Sequence, residues 1–252
     1  MSDVGQYMKG ILLKSKAVSE KPHYYIDFES NKAGDLFLLG LFADNKFSVS
    51  ILDERLSALS SWPQYKEDFN IRMVQPKQLL SEILNQINKN SGIMIAYSEA
   101  EKHIFNEFIP NIELIDVPYL NLLKAAKRWK NKYHAQRFGK LGDFRKTAND
   151  FQKKTMRNSL ASFMRLLDVN SQAPSDYAPG KTTMRINSVI LGLSNPKNNN
   201  EFSNLTSVQK QKATKLIKHN TFDVLAMKTL LKKIQLEDNS CIETSIQPLI
   251  IE

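Results

Sequence analysis

Hydrophobic and polar positions change their period along the chain, and the changes mark its elements. His23 to Glu29 (HYYIDFE) mixes aromatic, branched and polar residues in the manner of a strand. Ser30 to Gly34 reads as a turn. Leu36 to Ala43 is an apolar run of strand length, Asp44-Asn45 is a second turn, and Lys46 to Leu52 alternates as a third strand. Short turns between three strands predict an antiparallel meander. The period then becomes helical: Leu79, Leu80, Ile83, Leu84 and Ile87 predict a helix over 75–89. Ile93 to Ala96 is a short apolar strand. Ser98 to Phe108 is a helix with Ser98 as N-cap and Glu101 at its third position. Ile112 to Ile115 reads as a strand ending at Asp116, and Pro118 to Tyr133 as a helix. Further helices are expected over 159–167, 182–193 and 206–235, the last as one helix or two. Between them, 171–180 and the asparagine-rich 193–204 read as loops, and Leu249 to Ile251 as a strand or a partner contact.

This order, β-β-β-α-β-α-β and then helices, predicts an α/β fold. One mixed sheet, three antiparallel strands followed by parallel ones, is flanked by helices and completed by a helical C-terminal half. The expected organisation is a lead-in over 1–20, a domain over 21–237 with a basic helical insertion at about 121–160, and a tail over 238–252.

Charge changes the picture more than bulk composition does. The 252 residues carry 35 Lys+Arg against 26 Asp+Glu, a formal +9. Residues 121–160 alone hold twelve Lys/Arg and two acids, a net +10, so the remainder is close to neutral. A concentrated basic segment suits a polyanion, and the expected partner is nucleic acid, DNA or RNA. Lys127, Arg128, Lys130 and Arg137 are the best candidates for backbone contacts, with Trp129, Tyr133 and Phe138 available either to stack on bases or to pack the helix. Lys181, in Tyr177-Ala-Pro-Gly-Lys181, is a further candidate phosphate contact, although no Walker-type Gly-x-x-x-x-Gly-Lys precedes it. A single cysteine, Cys241, excludes an internal disulfide framework and a cysteine-based zinc cluster. No apolar run reaches membrane-spanning length, so no membrane partner is expected. The opening MSDVGQYMKG lacks an apolar signal core, and the expected compartment is the cytoplasm. The apolar C-terminus leaves room for a protein partner of unknown kind.

The candidate chemistry lies in the acids. In a strand, Tyr25, Asp27 and Glu29 share one face, and Ile26 and Phe28 the other. Two carboxylates side by side on a buried strand repel unless a cation lies between them, and Mg²⁺ prefers carboxylate and water oxygens. The plain alternative is a strand end emerging into solvent. Glu101 follows the strand Ile93 to Ala96 by one helical turn, and a capping box with Ser98 is its structural alternative. Asp223 interrupts an apolar helical stretch, Phe222 to Met227. Asp116 is either a supporting acid at a strand end or a helix cap. His23, His103 and His134 have no metal-ligand spacing among them.

Taken together these segments resemble the DEDD exonuclease superfamily of the ribonuclease H-like group, in a predicted bacterial nuclease branch. Asp27-Phe-Glu29 is similar to its first motif. Ala96-Tyr-Ser-Glu-Ala-Glu-Lys102 is similar to its second, with Glu101 rather than Glu99 as the better acid, and glutamate where aspartate is usual. His219-Asn-Thr-Phe-Asp223 has the spacing of a Tyr-x-x-x-Asp third motif, with histidine at the tyrosine position. Ser159 to Leu167 resembles the helix before that motif, and the resemblance spans about Tyr24 to Leu231. It implies a ribonuclease H-like fold and a 3′→5′ exonuclease on DNA or RNA. Asp27, Glu29, Glu101 and Asp223 would hold two Mg²⁺ or Mn²⁺ ions, and His219 would position the attacking water or else only cap or bend its helix. The alternatives are a catalytically silent domain of this fold that binds nucleic acid or a protein, and an endonuclease or strand-transfer enzyme of the same fold.

Overall fold

The computed structural model describes residues 21–31, 33–109, 117–140, 158–167, 177 and 179–249. In chain order these form β1 (His23–Ser30), β2 (Leu36–Ala43), β3 (Lys46–Ile51), α1 (Ala58–Ser61), α2 (Pro63–Phe69), β4 (Ile71–Met73), α3 (Pro76–Lys89), β5 (Ile93–Ala96) and α4 (Ala100–Phe108). They continue as β6 (Pro118–Asn121), α5 (Leu122–Tyr133), α6 (Ala135–Lys140), α7 (Leu160–Leu166), α8 (Thr182–Leu193), α9 (Ser207–Asp238), α10 (Ser240–Glu243) and β7 (Ile246–Pro248). Short 3-10 turns lie at Glu54–Leu56, Pro179–Lys181, Pro196–Asn198 and Phe202–Asn204.

One seven-stranded mixed sheet runs in the order β4-β3-β2-β1-β5-β6-β7. The predicted meander is its first half: β1 pairs β2, and β2 pairs β3, both antiparallel. Its tight turn is Asp44-Asn45, both at positive φ (50° and 58°), the left-handed pair that a two-residue hairpin of type I′ requires. β5 and β6 extend the sheet on the other side of β1 as parallel strands.

The pleat of β1 divides the core. Tyr24 and Ile26 pack with Met94, Ala96 and Tyr119 against α3 and α4, where Leu79, Leu80, Ile83, Leu84 and Ile87 are all buried as their spacing predicts. Tyr25 faces the opposite side and packs with Ile95, Leu120, Trp129, Phe163 and the α9 residues Val224, Met227 and Leu231. A third cluster joins Phe37, Leu38, Val49 and Ile51 to α8 and the first half of α9. Helix α9 spans 32 residues and begins with a capping box, in which the Thr206 hydroxyl accepts from Gln209 N–H and the Gln209 side chain accepts from Thr206 N–H.

The structure differs from the expectation in several elements. Pro118 to Asn121 is a strand, not the start of a helix; the helix begins at Leu122, where the Asn121 side chain accepts from Lys124 N–H as N-cap. The strand expected at 112–115, with Asp116, lies outside the described residues. A three-residue strand, β4, is added at the edge of β3. The segment expected as a tail instead supplies α10 and β7, which pairs antiparallel with β6, and Leu249 is fully buried in the α3–α4 layer. Within the segment expected as a basic insertion, α5 is a core helix with Ala125, Ala126 and Trp129 fully buried; the part over 141–157 and the lead-in 1–20 lie outside the described residues. No helix among the described residues is long and apolar enough to cross a membrane.

Candidate metal centre

Strand β1 carries its two acids on the Tyr25 face, which α9 covers, while Phe28 turns to the opposite face and meets Phe105 edge-on at 6.0 Å. From α9, one turn brings three polar side chains to those acids. Asn220 is fully buried, and its Nδ2 donates to Asp27 Oδ2 (2.7 Å) and to the Asp27 carbonyl (3.1 Å). His219 Nε2 lies 3.3 Å from Asp223 Oδ2 and 3.8 Å from Glu29 Oε1. These residues are i, i+1 and i+4 on one helix, so His219 and Asp223 stack on one face. Glu29, His219 and Asp223 offer ligand atoms all within 4.8 Å of one another.

Glu101 enters from α4. Its Oε2 accepts from Ser98 Oγ (3.0 Å) and Ser98 N–H (3.3 Å), while Ser98 Oγ in turn accepts from Ala100 N–H. The expected N-cap is corrected by one residue: Glu99, not Ser98, caps the helix, and of the foreseen exchange only the Glu101 carboxylate's bond to Ser98 N–H forms. It does not remove Glu101 from the site. The side chain is buried, and its charge raises the pKa values of both Asp27 and Asp223. Tyr119 on β6 holds this corner by donating to the Ser98 carbonyl. The two glutamates of this segment have different partners. Glu99 turns to Lys124 Nζ (2.5 Å), Asn121 Nδ2 (3.0 Å) and Gln247 Nε2 (3.0 Å), so it ties α4 to β6, α5 and β7.

Burial sets the electrostatics. Desolvation pushes Asp27, Glu29 and Glu101 above the ordinary carboxylate range and Asp223 up to about 7. Mutual repulsion adds to this: Asp223, Glu29 and Glu101 all raise Asp27. Asn220 lowers Asp27, Arg185 lowers Glu29, and Tyr177 lowers Asp223, each by favouring the ionised form. Glu29 Oε1 and Asn220 Oδ1 are buried and make no hydrogen bond within the protein. Crowded carboxylates with an unsatisfied oxygen among them could hold a hard cation, and Glu29, His219 and Asp223 lie close enough together to share one.

Three contributors carry no signal in the sequence. Tyr177 donates to Asp223 Oδ1 (2.7 Å) and lays its ring on His219, with centroids 4.4 Å apart and planes 23° apart. Arg185 on α8 is buried and sets its charge against Glu29. Gly40 lies opposite Asp27 on β2, where a β-carbon would fall 2.1 Å from Asn220 Oδ1 and 2.8 Å from its Cγ. Gly40→Ala is therefore expected to drive the Asn220 amide off Asp27. Overpacking of this kind destabilises by about 1–3 kcal/mol. Thermal unfolding of the variant checks it, and an unchanged midpoint would show that Asn220 has room to retreat.

The basic residues are less uniform than their spacing implies. Arg128 is exposed but bonds Thr244 Oγ1 (2.6 Å) and Ser245 Oγ (2.9 Å), joining α5 to the α10–β7 corner. Lys130 Nζ donates to Asn158 Oδ1 (2.9 Å) and lies 5.0 Å from the Phe138 ring centroid. Lys127, Arg137 and Lys181 are exposed, Lys181 at the head of α8. Trp129 and Phe138 are buried, the Trp129 indole donating to Glu237 Oε2 (2.7 Å), so these two rings pack the fold and do not offer a face to a base. Comparison with protein-family models, with curated proteins and with solved structures finds no match for this chain.

Proposed function

We propose that this chain is a divalent-metal-dependent nuclease of ribonuclease H-like type, cutting nucleic acid from a free 3′ end. The observation that carries the reading is the electrostatic convergence of Asp27, Glu29, Glu101 and Asp223, from three elements far apart in sequence, with His219 beside Glu29 and Asp223. The strand order supports it. A meander β3-β2-β1 continued by two parallel strands on the far side of β1 is the arrangement the resemblance implies, with the acids of β1 beside the end of β5.

Mg²⁺ or Mn²⁺ held by these carboxylates would supply Lewis acidity toward water and the leaving oxygen. The chain's own residues supply the order. Asn220 fixes one oxygen of Asp27 and leaves the other for a ligand. Tyr177 fixes Oδ1 of Asp223 and so turns Oδ2 toward His219. His219, between Glu29 and Asp223, is either a nitrogen ligand or the group that holds a proton for the attacking water. The exposed Lys127, Arg137 and Lys181 are candidates to meet a phosphate backbone.

The test is incubation with single-stranded DNA and RNA, linear strands labelled at the 5′ end and circles labelled internally, in Mn²⁺ and in EDTA. A metal-dependent ladder on linear strands alone is the expected result. Cleavage of circles moves the reading to an endonuclease. Binding without cleavage in any metal moves it to a silent domain, a reading that Arg185 favours by already placing a cation against Glu29.

Tyr177 gives a second check. Tyr177→Phe keeps the ring on His219 and removes the donor to Asp223. A hydrogen bond to a charged group contributes about 1.5–3 kcal/mol, so the rate should fall roughly ten- to a hundredfold. Because that bond lowers the Asp223 pKa, its loss should also move the acid limb of the pH–rate profile upward. A lower rate with an unmoved limb would assign Tyr177 to packing alone.

A further inference from the structure

We propose that a second site, a cavity of about 230 Å³ between α2 and the first half of α9, receives an unpaired nucleobase of a single strand whose phosphates lie on Lys210 and Lys218. The inference rests on nucleic acid being the polymer, as in the reading above.

The cavity is walled by aromatic rings that brace one another. Trp62 and Tyr65 each lie 4.9 Å from Phe202, at 48° and 58°, and Phe69 meets Tyr65 edge-on at 5.9 Å. The Tyr65 hydroxyl is pinned to α9 through the Lys210 carbonyl (3.1 Å) and the Thr214 hydroxyl, so the wall is formed before any ligand arrives. Trp62 and Phe69 are only partly buried, whereas Tyr65 and Phe202 behind them are buried, so two ring surfaces remain at the opening. The volume is below the roughly 300–1,000 Å³ typical of drug-sized ligands and suits a single flat heterocycle.

Charge selects the class of occupant. Lys210 Nζ is held by the Ser203 carbonyl (2.6 Å), 5.8 Å from the Trp62 ring centroid, and Lys218 is exposed at the lining. Against these two cations the lining places one acid, Asp68, leaving a net +1. Rings for stacking beside cations for phosphate are what a single strand needs, since every base has a π face. An apolar peptide would use the rings and leave the lysines idle. The position fits a strand that also reaches the acids. Lys210 and Asp223 are on the same helix, thirteen residues apart, roughly 20 Å along its axis at 1.5 Å per residue.

Tryptophan emission tests this directly. The chain has two tryptophans, and Trp129 is fully buried with its indole bonded to Glu237, so a ligand in the cavity acts on Trp62. Wild-type protein in EDTA, which stops cleavage, is titrated with oligo-dT, a mononucleotide and a neutral apolar peptide. Quenching by the oligonucleotide is expected, with affinity falling about 5- to 150-fold in Trp62→Ala and recovering in Trp62→Phe. Lys210→Gln and Lys218→Gln, which leave the rings in place, should each reduce the slope of log K against log salt by about 0.7. Unquenched emission with unchanged affinity in Trp62→Ala would overturn the proposal, and intact cleavage in the same protein would leave the nuclease reading standing. Quenching without cleavage in metal would do the reverse. Quenching by the peptide alone would also overturn it.

Discussion

Asp223→Asn is expected to remove metal-dependent cleavage and, at the same time, to raise the melting temperature of the metal-free protein. Asp223 is held among Glu29, Glu101 and Asp27, and its carboxyl is pushed up to about 7 by burial and by the Glu101 charge. Without a cation, its ionised form is therefore a liability at pH 8. Asparagine keeps the Oδ1 acceptor for Tyr177 and leaves the stack on His219 undisturbed, while removing the charge. Relief of one buried repulsion is worth on the order of 1–2 kcal/mol, which for a chain of this size means about 2–8 °C. The activity change runs the other way. Losing one preorganised electrostatic group in a closed site lowers rates by about 10²–10³. Differential scanning in EDTA beside cleavage in Mn²⁺ checks both halves. A variant that is less stable and also inactive would show that Asp223 serves the fold, and a variant that still cuts would remove it from the site.

The second large effect is the pH dependence of the metal-free protein. Asp223 binds its proton more tightly when folded, about 7 against an ordinary 3.8. Between about pH 4 and 7 the unfolded chain has lost this proton and the folded chain keeps it. Stability is therefore highest at the acid end of that window and falls as pH rises, levelling above about 7. Asp27, Glu29 and Glu101 are raised as well and act in the same direction. Glu237, lowered to about 2 by Lys233, His134 and Trp129 against the opposing effect of burial, and Asp238, lowered mainly by its bond to Lys132, act the other way, but only at the acid edge of that window, near their ordinary values of 4.5 and 3.8. Mg²⁺ or Mn²⁺ binds the ionised carboxylates, so the melting temperature gained by adding metal should grow steadily from pH 5 to pH 8. A metal-induced gain that is constant across that range would mean that these four acids do not hold the ion.

How much of this was legible in the sequence differs by element. The pleat of β1 was readable because Tyr25, Asp27 and Glu29 alternate with core residues in a strand long enough to show a period. The helix α3 was readable for the same reason, since all five of its periodic residues are buried. β4, β6 and β7 are three or four residues long, too short to express any period, and Pro118 looked like a helix start because the real N-cap, Asn121, stands three residues later. The acids of the site were legible as spacings, and grouped only through the resemblance; the contacts that hold them were not legible. Asn220 beside Asp27, Tyr177 over His219 and Arg185 against Glu29 are tertiary facts that depend on where α8 and α9 cross the sheet. Gly40 shows the same limit. Its lack of a side chain reads as nothing in the apolar run Leu36 to Ala43, and matters only because Asn220 occupies the space.

The hydrogen bond from Asn220 to Asp27 spans 193 residues. During synthesis, β1 to β5 can pair soon after they leave the ribosome, because their partners are close in sequence or follow within one crossover. The acid cluster cannot close with them. His219, Asn220 and Asp223 must first be made, released from the exit tunnel and folded as part of α9, which is also the helix that seals the Tyr25 face of the core. At roughly 5–20 residues per second, this leaves an interval on the order of ten seconds or more between the first strand and a complete site. A growing chain thus carries only Asp27, Glu29 and Glu101 of these four acids for that interval. The wiring of the fold defers closure of the acid cluster until α9 has been made.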